Sequence, residues 1–99
     1  MTIIEKLPHS ESKLIYVNSK ILSNLSEELS MSFTAIPIGR SYVVLKQTFT
    51  NQDSDEYNFR IKEENIEIIG KCFIVKAGKE KILEITKEDQ KDIVKYLEE

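Results

Sequence analysis

His9 is the only histidine in the chain, so a histidine-ligated metal, a Ser/His pair or a Cys/His pair would all run through one side chain set beside Pro8 in a polar stretch. A lone residue specifies no site, and a solvent-facing loop histidine is the plainer reading. Cys72 is also alone. A thiol becomes a nucleophile where a nearby cation holds it as thiolate; Lys71 and Lys76 alternate away or lie a turn off, so Cys72 reads as a small apolar core residue. The remaining candidates are carboxylates, which catalyse hydrolysis when their surroundings push two pKa values apart. Glu63-Glu64, Asp53 with Asp55, and Glu88-Asp89 fall in turns or at a helix start, where solvation and capping account for them. With Gly39, Gly70 and Gly78 the only glycines, no phosphate-cradling loop or dinucleotide turn can be written, and no calcium loop is present. The expectation is a protein without enzyme activity, cofactor or metal site.

Charge narrows the partners. Seventeen acids face 14 bases, for a net charge of −3, and Arg40 and Arg60 are the only arginines. Nucleic-acid binders show a basic excess and favour Arg for bidentate contacts, so direct nucleic-acid binding is disfavoured. Acids and lysines interleave, as in Lys62-Glu63-Glu64 and Lys79-Glu80-Lys81, which describes a mixed solvated surface rather than a DNA mimic. Tyr57 and Phe59 alternate with Asn58, Arg60 and Lys62. Aromatics then point inward and bases outward, unlike a stacking platform, which needs both on one face.

The elements that carry these residues follow from periodicity. Residues 2–4 read as a short strand, and residues 1–12 as a mobile N-terminal segment of one domain spanning 1–99. Residues 13–17 read as a strand. Asn18 or Ser19 caps a helix whose Ile21, Leu22, Leu25 and Leu29 keep helical spacing. Strands at 33–38 and 42–49 join across Gly39-Arg40 as a two-residue type II′ hairpin. Pro37 lacks an N–H, which puts the first of them at a sheet edge. A strand at 57–62 precedes a long strand at 66–76 bent at Gly70, then a strand at 81–85. Thr86 with Asp89 forms a capping box for a last helix with Ile93, Tyr96 and Leu97 as its apolar stripe and Val94 widening it. The expected fold is α+β: a mostly antiparallel β-meander of about five strands, with one helix near the N-terminal third and one C-terminal helix.

Leu14-Ile15-Tyr16-Val17, the helix around Ile21-Leu22-Ser23-Asn24-Leu25 and the hairpin from Phe33 to Lys46 around Gly39-Arg40 resemble the order of elements in the AbrB/MazE swapped-hairpin family. The resemblance covers a third of the chain. It implies an intertwined dimer that binds DNA as a regulator or antitoxin. Asn18 stands where that family usually has proline, and the basic residues that would meet DNA are reduced to Lys13 and Lys20.

Three runs are apolar on both faces: Leu14-Ile15-Tyr16-Val17, Tyr42-Val43-Val44-Leu45 and Cys72-Phe73-Ile74-Val75. Strand side chains alternate faces, so such runs need cover on both sides. These observations lead to a small regulator or inhibitor that binds another protein, a second copy of itself, or both. Phages and plasmids encode such proteins against host or defence enzymes; the alternative is the AbrB/MazE-like DNA-binding dimer. Phe33, Ile36, Ile38, Arg40 and Tyr42, on the edge hairpin, are the expected partner-binding residues. No apolar stretch exceeds four residues, far short of the roughly 18 that cross a bilayer, and the opening residues lack a signal layout. With the lone cysteine, the expected location is cytoplasmic.

Overall fold

Isoleucine and valine lose rotamer freedom in a helix but pack well on a pleated surface, and the Ile/Val-rich segments of this chain become the body of one sheet. The computed structural model describes residues 1–17, 33–47, 56–79 and 81–98. In it β1 (Thr2–Lys6) pairs with β2 (Lys13–Tyr16) on one side and β7 (Cys72–Ala77) on the other. β7 pairs in turn with β4 (Tyr42–Gln47), and β4 with β3 (Phe33–Ile38), all antiparallel, for the order β2-β1-β7-β4-β3. β8 (Ile82–Leu83) lies beside the end of β7. A second antiparallel sheet has the order β6-β5-β9, from β5 (Tyr57–Ile61), β6 (Ile66–Ile69) and β9 (Leu97–Glu98). Helix α1 (Lys87–Val94) opens with the expected capping box, Thr86 Oγ1 accepting from the Asp89 N–H while the Asp89 carboxylate accepts from the Thr86 N–H.

Registers align Leu14, Ile4, Ile74, Val44 and Ile36 in one cross-strand row of the five-stranded path. Ile4, Val44 and Ile74 are fully buried, and the same core cluster takes in Phe59, Ile61 and Ile68 of the second sheet with Ile85 and Ile93. The other face of the first sheet is also covered at its centre, where Ile3 and Val75 are buried.

This arrangement corrects the expected fold. Among the described residues nine strands in two sheets replace the single meander of about five, sheet dominates, and α1 is the one helix. The helix expected at 21–29 lies outside the described residues. The long strand at 66–76 divides at Gly70, whose φ of +77° is open to glycine without strain; Ile66–Ile69 stay in the small sheet and Cys72–Ala77 enter the large one. Sequential pairing, only a tendency, fails there too, because β7 inserts between β1 and β4. The hairpin connection has three residues rather than two, since Ile38 pairs with Tyr42 and leaves Gly39, Arg40 and Ser41 outside the ladder. The last helix stops at Val94, and Leu97, expected on its stripe, pairs with Ile61 as part of β9.

Candidate functional site

Tyr42 and Lys76 are cross-strand partners on β4 and β7, so both side chains leave the sheet on one face, where α1 crosses. The Tyr42 hydroxyl donates to Asp89 Oδ1 at 2.9 Å, with Asp92 Oδ2 sharing it at 3.1 Å. Lys76 Nζ donates to Asp89 Oδ1 at 3.1 Å. Asp89 Oδ2 accepts from the Thr86 N–H and Oγ1. A carboxylate has about four lone-pair positions, and here all are taken. The Thr86 backbone N–H is the largest cause holding the Asp89 carboxyl down at about 2; burial opposes it, and Lys76, Tyr42 and the Thr86 hydroxyl add to it. Burial first, then the two carboxylates, push the Tyr42 phenol well above the usual tyrosine range. A base with no free lone pair and an acid that holds its proton this firmly make a clamp between α1 and the sheet rather than an acid/base pair.

A second polar cluster joins the two sheets. The register slips between Tyr57 and Phe59, making Asn58 the extra residue of a bulge. Alternation predicts Asn58 on the wet face; the bulge turns it inward, where it is buried. Its Nδ2 donates to the Lys6 and Gly70 carbonyls at 2.9 and 2.8 Å, and its Oδ1 accepts from Lys6 Nζ at 2.9 Å. Lys6 Nζ also donates to the Leu7 carbonyl. Cys72 lies against this cluster, its Sγ 4.0 Å from Asn58 Nδ2. Burial pushes the thiol up to about 12, against the pull of the Lys6 charge, so Cys72 is a packed thiol and no nucleophile at neutral pH. His9 has a φ of +60° in the β1–β2 loop and meets Glu56 through Nε2 at 2.8 Å, both side chains exposed. Among the described residues no group of three His, Cys, Asp or Glu side chains could hold a metal ion.

A cleft of about 630 Å³ opens between the β1–β2 loop and α1. Lys87, Gln90, Lys91 and Val94, at i, i+3, i+4 and i+7, share the helix face that lines it. Glu11 and Ser12 form the facing wall, with Lys6 and Leu97 completing the lining. Gln90 Nε2 donates to the Ser12 carbonyl at 2.8 Å and to Ser12 Oγ at 3.1 Å, tying the two walls together.

The residues expected to meet a partner separate on the structure. Ile36, Ile38 and Tyr42 point into the core, at 9%, 2% and 6% exposure. Arg40 is exposed in the hairpin loop, and the side chain of Phe33 lies outside the described residues. An aspartate at Ile36 or Ile38 would be buried without a partner, so those substitutions report folding. What β3 offers is its backbone: it ends the sheet, its outer side unpaired among the described residues, with Ala35 and Pro37 exposed on the face opposite Ile36 and Ile38. The outer strand at the other edge, β2, carries Tyr16 at 77% exposure. Periodicity could not single out Lys6 or Asn58, whose places depend on a bulge and on a junction between sheets. The Lys87, Lys91, Val94 spacing was readable but gave no cue to the loop that faces it.

No protein-family model matches the chain, and no curated protein or solved structure matches it at a significant level.

Proposed function

We propose that this protein is a small non-enzymatic regulator or inhibitor that acts by binding another protein, of the kind phages and plasmids encode against host or defence enzymes, and that the partner adds a strand beside β3. The open outer side of β3 among the described residues carries this reading: a row of unpaired N–H and C=O groups is a template for an added strand. Pro37 indicates which groups face out. Proline is tolerated in a strand where its missing N–H is not needed by the neighbour, so Pro37 N faces away from β4. Residues two apart present the same side, which puts the Ala35 N–H on the outer edge as well. The filled carboxylate of Asp89 and the inert thiol of Cys72 support a role in binding rather than turnover. The link to mobile elements is an association with small size and mild acidity. No helix among the described residues is long and apolar enough to cross a membrane.

The test is an affinity pull-down of the tagged protein from its host's lysate, with and without nuclease. One stoichiometric protein that survives nuclease and moderate salt is the expected result. Nucleic acid released by salt, with no dominant protein, would overturn the proposal in favour of DNA binding.

A further inference from the structure

The cleft beside α1 reverses the sign of the molecule. The chain carries a net charge of −3, yet among the described residues the lining of the cleft holds three lysines, Lys6, Lys87 and Lys91, against the one carboxylate of Glu11. Lys6 Nζ is committed to the Leu7 carbonyl and Asn58 Oδ1, so the cations offered to a ligand are Lys87 and Lys91, both exposed and one helical turn apart. One turn further along the same face is Val94, an aliphatic side chain 59% exposed, with Leu97 beside it in the lining. Cationic positions followed by an apolar one on a single helix face match a ligand with the complementary order. The walls are already tied by the Gln90 to Ser12 bonds, so binding need not first order them.

We infer that this cleft is a docking site for an acidic peptide segment with a large apolar residue next to its carboxylates. Carboxylates meet Lys87 and Lys91, and the apolar side chain lies on Val94 and Leu97. The volume, about 630 Å³, is within the range of small-ligand sites, enough for a few side chains and too small for a folded domain. Among the described residues the lining holds no aromatic ring for a base to stack on, which disfavours a single-stranded nucleic acid as the occupant. A small dicarboxylate would satisfy the lysines but leave Val94 and Leu97 uncovered. The inference goes beyond the β3 edge and does not depend on it.

A fluorescein-labelled peptide Glu-Leu-Glu-Glu-Leu-Glu, titrated with the full chain in fluorescence anisotropy, tests this, with amide NMR shifts locating the contact. Binding is expected at low salt, with shifts concentrated at Glu11, Ser12 and 87–94, and at least a tenfold loss in the double variant Lys87→Glu, Lys91→Glu. Both sites are exposed; Lys87→Glu suits the helix dipole and Lys91→Glu opposes it, each by less than about 1 kcal/mol, and circular dichroism of the double variant matching wild type is expected alongside the loss of binding. The Gln-Leu-Gln-Gln-Leu-Gln analogue is expected to bind at least tenfold more weakly, and Ala35→Pro to leave the affinity unchanged. Absence of binding, equal binding by the double variant or by the glutamine analogue, or shifts away from α1 would overturn the inference. So would glutarate reproducing the peptide's shifts at equal concentration, which would make the cleft a small-anion site.

Discussion

Asp89 shows how one residue ties a short helix to a sheet. Eight residues make a marginal helix on their own, and α1 is held by a carboxylate that accepts from its own cap, from Tyr42 on β4 and from Lys76 on β7. The carboxyl is held at about 2, below the ordinary range. The charged form is therefore the stabilising one: its contribution is complete above the ordinary carboxylate pKa and is lost as pH falls through about 2. Urea unfolding is expected to show stability declining from about pH 4 towards pH 2, and Asp89→Asn to lack that part of the decline. At neutral pH Asp89→Asn is expected to cost about 2 kcal/mol, because it weakens bonds to a charged acceptor. Thr86→Ala, which removes only the side-chain half of the cap, is expected to cost about 1 kcal/mol. Cys72 gives a separate check: buried and pushed up to about 12, it is expected to resist a thiol reagent at pH 8 in the native protein and to react on addition of denaturant.

At the scale of elements, glycines and a bulge decide where strands begin and stop. Gly39 opens the β3–β4 loop at a φ of +59°, and a Cβ there would stand 2.8 Å from Cζ of Tyr96. Gly39→Ala is thus expected to cost on the order of 1–2 kcal/mol from backbone strain, plus whatever the ring must give. The Tyr96→Ala background should return the steric part, as a double-mutant cycle in urea would show. Asn58→Ala takes one hydrogen bond each from two backbone carbonyls and from the Lys6 ammonium in the interior, and is expected to destabilise by about 3 kcal/mol. In these elements local residue patterns specify part of the structure and distant pairing specifies the rest. The capping box at Thr86 and Asp89, the edge position of the Pro37 strand among the described residues and the chain reversal at Gly39 are local features, legible from residue types a few positions apart. The division of 66–76 at Gly70 was legible as a bend. That it carries the chain from one sheet to another was not, because the choice depends on which distant strands are free to pair. Strict alternation puts Asn58 on the wet face, and the one-residue bulge between Tyr57 and Phe59 reverses that period of two.

For the whole molecule, the apolar surfaces recognised in the sequence are mostly used internally. β7 sits between β1 and β4 with Cys72 and Ile74 buried on one face and Val75 on the other, which answers much of the need for cover inferred from its two-sided pattern. Ile36, Ile38 and Tyr42 are core residues, so the contact with a partner passes from their side chains to the backbone edge that carries them. The most direct measurement compares wild type with Ala35→Pro in capture of the stoichiometric partner, alongside urea unfolding of both proteins. Loss of the partner with folding retained is the predicted result, because the substitution removes an outward N–H and leaves the β3–β4 ladder intact. Undiminished capture by a folded Ala35→Pro protein would contradict strand addition at β3.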